Sequence, residues 1–312
     1  MNLKKWILLW ISIHLLHLII LGSFFPIFSH RPPFIKKEVP VDWSSPKFDP
    51  SIDPIWIAQM SDLHLSYFHP HVIQRVNETY KYIKKFVKPL YTLLTGDLTD
   101  NIEGVTVWAP TYPHEEHFML LKDIFGNDYD DSLIQILGNH DTWGRINFTD
   151  QYFQYLTQDS RVKMKRNFYV QSYIKNNVRI IAFQPIHFPS GHTTYDFVIP
   201  LYSEELDELE KELDNIDSTK PFDFTIFSTH FTIGMMYPIE NVKTTKTGRN
   251  LRELLSDPKY KIIAMIDGHT HPVSCESLHY GKTIELTSTA LLETDGFAIF
   301  SVDNNRINYN IY

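Results

Sequence analysis

Five short clusters punctuate this chain: Asp62-Leu63-His64, Gly96-Asp97-Leu98-Thr99-Asp100, Gly138-Asn139-His140-Asp141, Thr229-His230 and Gly268-His269-Thr270-His271. Four of the five directly follow a run of apolar, strand-like residues. Nearly every side chain in them offers an oxygen or an imidazole nitrogen, the donor types that divalent cations take. A chain built this way must deliver the ends of several strands to one sheet edge, where loops can bring the clusters to a common point. That requirement narrows the fold more than any other feature.

The pattern along the chain agrees. Strand-like runs are expected at 55–60, 91–95, 133–137, 168–174, 178–183, 224–228 and 261–266. Helical spacing appears at 71–87 (Val72, Val76, Tyr80, Ile83, Val87) and at 115–125. A further helix is expected at 203–216 from the Leu206, Leu209, Leu213, Ile216 stripe, with Ser203 as N-cap and acidic residues in the first turn. After Gly268 only short β segments follow. Strand–helix alternation that gives way to β segments predicts an α/β sandwich with mixed sheets.

With 43% apolar and 14% aromatic residues, the chain has the material for a globular core. Its net charge is −8, and outside the N-terminus it has no basic run, so nucleic acid is not an expected partner. The single cysteine, Cys275, excludes an intrachain disulfide and is expected to be inert in a strand.

The N-terminus divides into a short cytosolic tail (1–5), a signal anchor (6–28) and a Pro-rich stalk (29–51), followed by one domain (52–312). Residues 6–28 carry no charged side chain and are long enough to cross a hydrocarbon core about 30 Å thick. The apolar stretch exceeds the usual region of a cleavable signal, and Gly22-Ser23-Phe24-Phe25 is a poor cleavage site. An uncleaved anchor is therefore preferred over a cleaved signal, with secretion as the alternative outcome. Lysines and arginines flank the span almost equally, so charge leaves orientation open. The sequons at Asn77 and Asn147 favour a single-pass type II arrangement, with the domain lumenal or extracellular along the secretory pathway.

The clusters share one chemical use. Paired divalent ions lower the pKa of a water between them and neutralise charge on phosphoryl oxygens, which phosphate-ester hydrolysis requires. The ordered set D-x-H, G-D-x-x-D, G-N-H-D, a lone His and G-H-x-H resembles the calcineurin-like metallophosphoesterase superfamily, over about residues 55–312. The resemblance implies an α/β/β/α sandwich of two mixed β-sheets holding two divalent ions (Mn, Fe or Zn). It also implies a bridging hydroxide that attacks phosphorus in a monoester or diester. Carried over by position, Asp62, His64 and His271 would bind the first ion, Asp97 would bridge, and Asn139, His230 and His269 would bind the second. His140 would contact the phosphate and assist the leaving group. Asp141, which stands where Glu is common, would orient His140, and Asp100 would support from behind.

Within the superfamily, the anchor, the Gly-Asp-Leu-Thr-Asp wording and the loop around Phe188-Pro189 and Tyr195-Asp196-Phe197 resemble a membrane-anchored branch typified by transmembrane protein 62. That likeness implies a membrane partner and makes a lipid-linked phosphate ester one substrate option. The alternative to an enzyme is a phosphate- or phospholipid-binding scaffold on the same fold. A nuclease shares the motifs but lacks support from a basic groove. Other histidines have simpler readings: His114 and His117 on a solvated surface, His69 and His71 in a rim or polar loop. The acidic run 204–217 is expected to be the solvated face of its helix.

Overall fold

The computed structural model describes residues 54–100, 115–126, 128, 132–141, 169–185, 201–216, 219–233, 236, 244–271, 274–277, 283–288, 290–291, 297–303 and 306–311. The expected tail, anchor and stalk, the Asn147 sequon, His114 and the 186–197 part of the Phe188 loop lie outside them. Among the described residues no helix is long and apolar enough to cross a membrane.

In chain order the elements begin with β1 (Ile55–Met60), α1 (Pro70–Tyr82), β2 (Tyr91–Thr95), α2 (Glu115–Phe125) and β3 (Leu133–Ile136). They continue with β4 (Tyr169–Lys175), β5 (Val178–Gln184), α3 (Ser203–Asp214), β6 (Phe224–Ser228), α4 (Leu251–Ser256) and β7 (Ile262–Asp267). The last four are β8 (Ser274–Ser277), β9 (Ile284–Thr287), β10 (Ala298–Asp303) and β11 (Arg306–Ile311). One sheet has the order β11-β10-β1-β2-β3 and the other β4-β5-β6-β7-β9-β8. In the first, β1, β2 and β3 are parallel; in the second, β5, β6, β7 and β9 are. Each sheet is completed by antiparallel outer pairs. The expected α/β fold with two mixed sheets is the observed one.

The period-2 alternation of strand side chains sorts the core into layers. Ile57, Leu93 and Ile134 face Ile180, Ala182 and Ile226 between the two sheets. The alternate residues Ala58, Met60, Leu94 and Leu133 turn the other way, onto Val72, Val76 and Tyr80 of α1 and Phe118 and Leu121 of α2. On the second sheet Ile181, Phe183 and Phe227 pack against Leu206, Leu209 and Leu213 of α3 and Leu254 of α4. Because both faces of each sheet are covered, the central strands read as continuous apolar runs. Parallel pairing also places the C-terminal ends of β1, β2 and β3, and of β5, β6 and β7, at common edges.

Two buried glutamines tie those edges together. Gln59 on β1 donates through Nε2 to Thr95 Oγ1 at 2.8 Å and to the Asp267 carbonyl, in the other sheet, at 2.7 Å. Gln184, closing β5, accepts from the Leu137 amide at 2.8 Å, just ahead of the Gly138 cluster. Each satisfies a buried backbone group and fixes one sheet against the other. Arg179 on β5 does similar work elsewhere. Fully buried, it donates to the carbonyls of Glu212 and Leu213, the last acceptors of α3, and so fixes that helix's C-terminal end.

Helix ends depart from the sequence reading. The helix expected over 71–87 is α-helical only to Tyr82, and Ile83–Val87 forms a π turn closed by the Lys88 amide on the Ile83 carbonyl. Ser203 is the first helical residue of α3 rather than its cap; Glu205 turns back to accept the Tyr202 amide at 2.8 Å. The helix stops at Asp214, leaving Ile216 outside it and 52% exposed. Its acidic residues are not all solvated: Glu205 and Glu210 are buried, and Glu210 accepts from Thr247 and Arg249. Helix α4 is too short for periodicity to show, but its reciprocal Asn250–Glu253 capping box is legible in the sequence.

Burial, added to by the charge of Glu204 and only partly offset by the Tyr202 amide, pushes the Glu205 carboxyl up to about 8. An unfolded glutamate titrates near 4.5. Across that window the native state keeps a proton that the unfolded chain has released, so stability falls as pH rises from about 4.5 to about 8. Glu205→Gln should leave the melting temperature nearly unchanged at pH 4.5 and raise it relative to the wild type at pH 8, read by thermal unfolding across that range.

Candidate metal centre

The first two clusters run side by side. Beyond the strands, the Asp62 amide donates to Gly96 O at 3.0 Å, His64 N to Asp97 O at 2.9 Å and Leu65 N to Leu98 O at 3.0 Å. The third joins them when the His140 amide donates to Asp97 Oδ1 at 2.9 Å. The fifth joins when the His269 amide donates to both Asp62 oxygens at 3.1 Å. The fourth arrives through its ring, His230 Nδ1 lying 2.7 Å from Thr95 O. All five clusters therefore meet at one place.

Holding them there costs backbone strain. Asp62, His64, Asp97, His269 and His271 all adopt left-handed φ values, between 45° and 69°. Asp and His tolerate this region better than most residues, yet each instance costs of order 1 kcal/mol and persists only where surrounding contacts enforce it. Two glycines make the approach feasible. Gly96 has φ 96°, and a Cβ there would overlap the His230 ring. A Cβ on Gly138 would overlap Asp97 Oδ1 and its amide.

The side chains form three groups whose ligand atoms lie within 4.8 Å of one another: Asp62, His64 and His271; His64, Asp97 and His140; and Asp97, His230 and His269. Asp97, almost wholly buried, belongs to two of them. Its Oδ2 lies 3.4 Å from His230 Nε2, and that nitrogen is also 3.1 Å from Asn139 Oδ1 and 3.2 Å from His269 Nδ1. Thr95 O can only accept, so His230 Nδ1 carries a proton and, in the neutral ring, Nε2 turns a lone pair toward these three atoms. Lone-pair donors converging in this way are the arrangement a cation resolves. His64 points the same way, since it is 2% exposed and neither ring nitrogen has a hydrogen-bond partner among the described residues. A buried polar ring left unsatisfied is costly unless an ion takes its lone pair. The mixed N/O donor set fits a divalent metal.

Electrostatics agree. Burial pushes His64 down to about 3, as it does His269, so both rings stay neutral and able to ligate. Burial alone would raise Asp97, but the positive charges of His230 and His140 hold it well below the usual carboxylate range. Conversely, burial would lower His230, and Asp97 with Asp62 lifts it to about 9. The buried carboxylates thus draw positive charge into the site, which a proton or a divalent ion supplies.

Around the centre, two roles differ from the sequence reading. Asp141 is expected to orient His140, but its carboxylate accepts the amides of Gly138, Leu98 and Thr99 and the Thr99 hydroxyl. It therefore holds the Gly96 loop against the Gly138 loop and reaches His140 only through its charge. Asp100 is the carboxylate beside the ring, with Oδ1 3.4 Å from His140 Nδ1. The chain departs here because a residue directly following His140 points its side chain away, into the loop behind. The second difference is His117, expected on a solvated surface and found buried. It donates from Nδ1 to the Asp100 carbonyl at 3.0 Å and lies 3.4 Å from Ser66 Oγ. Nothing in its sequence surroundings marks it, because the contact depends on α2 docking beside residue 100. His69 lies 3.9 Å from Asp100 Oδ2 at the rim, while Asn77 is half-buried within α1.

The profile of the family described as Calcineurin-like phosphoesterase matches residues 55–273. The chain belongs to that family. No curated protein sequence matches the chain. Solved structures similar to it include a purple acid phosphatase from yellow lupin seeds (14% identity, 82% of this chain and 51% of that one, TM-score 0.48). Another is the inner-membrane-complex anchor protein of Plasmodium (13% identity, 83% and 84%, TM-score 0.45). A third is a putative 5'-nucleotidase from Staphylococcus aureus (15% identity, 83% and 53%, TM-score 0.43). The chain spans about half the length of the lupin and staphylococcal structures.

If these side chains hold metal, added Mn²⁺ or Zn²⁺ should raise the melting temperature in a concentration-dependent way. Gly96→Ala, by displacing His230, should abolish most of that rise, with metal content by elemental analysis as the second readout.

Proposed function

We propose that the protein is a binuclear metal-dependent phosphoesterase. The observation that carries this reading is the buried Asp97 carboxylate, which groups with His230 and His269 on one side and on the other lies 3.9 Å from His64, a member of the Asp62, His64 and His271 group. Asp62, His64 and His271 would hold one ion, Asn139, His230 and His269 the other, and Asp97 would touch both. When bound, the pair would supply a water of lowered pKa and positive charge at the phosphoryl oxygens.

The chain's own residues supply the remainder. His230 keeps its Nδ1 proton on Thr95 O, which fixes the ring's tautomer and aims Nε2 inward. His140 is the proton donor for the leaving oxygen. Burial would lower its pKa, but Asp97 and Asp100 outweigh burial and raise it, which favours the protonated ring. Asp100 sets its orientation, and His117, itself beside Ser66, braces the Asp100 backbone. Asp141 keeps the Gly96 and Gly138 loops in register, so that Asp97 and Asn139 face the same point.

The test uses the purified full chain with p-nitrophenyl phosphate and bis-p-nitrophenyl phosphate. Turnover should need an added divalent ion and disappear with a chelator, and about two ions should bind per chain. His140→Ala should keep both ions and lower kcat roughly 10²–10⁴-fold, as loss of a general acid does. Two bound ions without turnover of either ester would leave phosphate binding as the role.

We also propose that residues 6–28 anchor the chain with the domain on the lumenal side. The uncharged length of that segment and the two sequons support this. Treatment with an N-glycosidase should increase electrophoretic mobility, and the shift should vanish in the Asn77→Gln/Asn147→Gln double variant. A wild-type chain with no shift would place the domain on the cytosolic side or leave both sequons unused.

A further inference from the structure

The end of the domain opposite the metal centre has its own character. Helix α1 starts at Pro70, past the C-terminal end of β1, and runs back along the sheet. It reaches the N-terminal edge through the π turn, where the Leu90 amide donates to Trp56 O at 2.7 Å. From Pro70 to Val87 that is about 25 Å of helix. Its last turns read Lys81-Tyr82-Ile83-Lys84-Lys85-Phe86-Val87-Lys88. Only Ile83 is buried there; Tyr82 is 47% and Phe86 61% exposed, with ring centroids 4.9 Å apart. Lys81, Lys85 and Lys88 are exposed around them, and Lys85 Nζ lies 5.0 Å over the Phe86 ring. Lys84 is committed to Asp128 at 2.6 Å. Trp56, 40% exposed, sits on β1 where the chain enters the domain.

A lone exposed aromatic needs no explanation, and helix lysines usually face water. Two aromatics in tilted contact, ringed by three lysines with no ion-pair partner among the described residues, on a chain of net charge −8, are a different case. The patch has the opposite sign to the whole protein, and aromatic rings interleaved with lysines suit a headgroup layer. There the rings sit at the acyl boundary and the lysine stems lie flat, with their ammonium groups on lipid phosphates. We infer that the face formed by Lys81, Tyr82, Lys85, Phe86 and Lys88 seats the domain on an anionic lipid bilayer. The metal centre then stands at the far end, facing away from that membrane, and acts on phosphoesters reaching it from solution or from an opposing surface. The face sets this orientation independently of the phosphoesterase mechanism.

The experiment uses the full chain with Cys275→Ser and a bimane label on either Lys88→Cys or His71→Cys, at opposite ends of α1. Each is mixed with phosphatidylcholine vesicles containing phosphatidylserine and a nitroxide-labelled lipid. The label at 88 should be quenched and that at 71 should not, with weaker quenching on phosphatidylcholine alone. Lys81→Glu/Lys85→Glu/Phe86→Ser, all exposed positions, should cut quenching at 88 at least about tenfold, given roughly fivefold per lysine. Its melting temperature and its turnover of p-nitrophenyl phosphate should match those of the parent. Equal quenching at 71 and 88, unchanged quenching in the triple variant, or preference for duplex DNA over phosphatidylserine would overturn the inference. Sedimentation with vesicles while 88 stays unquenched would leave the proposed anchor standing and overturn the face.

Discussion

The structure around the metal centre depends on one carboxylate. Asp97 lies out of water, accepts the His140 amide through Oδ1 and turns Oδ2 toward His230. A buried charge of this kind is tolerable only with compensating charge and hydrogen bonds close by. That need explains why loops from both sheets crowd the site and why backbone strain concentrates there. It also explains why glycine stands at 96 and 138, where any side chain would push the neighbouring loop off the carboxylate. The two buried glutamines serve the same end, since a relative slide of the sheets would separate His230 and His269 from Asp97.

The site's chemistry follows from burial more than from any single contact. Desolvation keeps His64 and His269 neutral, while Asp97 and the carboxylates beside it overcome desolvation and draw positive charge onto His230 and His140. Neutral rings can ligate as they stand, a proton on His230 Nε2 would give way to an ion, and a charged ring outside the ligand set, as His140 would be, can give up a proton. His64 and His140 both lie 3.9 Å from Asp97 Oδ2 and are told apart by Asp100, which lies closer to His140, and by the charge of His140, which lowers His64.

Much of this was legible in the sequence because parallel strands write two signals at once. Their buried runs appear as unbroken apolar stretches, and the residues that follow are the ones delivered to the common edge. Strands β1, β2 and β6 coincide with their expected bounds for that reason. Helix ends were less legible because they turn on local bonds that periodicity does not encode. The Glu205 turn back to Tyr202 and the π turn after Tyr82 are examples. Glu210 was misread as solvated because a helical wheel carries no information about Arg249, which comes from a distant loop.

By itself the sequence determined the mixed-sheet α/β class and the set of side chains that meet at the centre, since both follow from period, length and residue type. Only the tertiary structure decided which carboxylate serves which histidine. Asp141, adjacent to His140 in sequence, bonds the loop behind it, while Asp100, from another strand's loop, lies beside the ring. His117 and the lysine–aromatic face at the end of α1 likewise gain their meaning only from docking. The physical reason is common to all three. Hydrogen bonds and charges act through space over a few ångströms, and neighbours at that range are set by packing rather than by position along the chain.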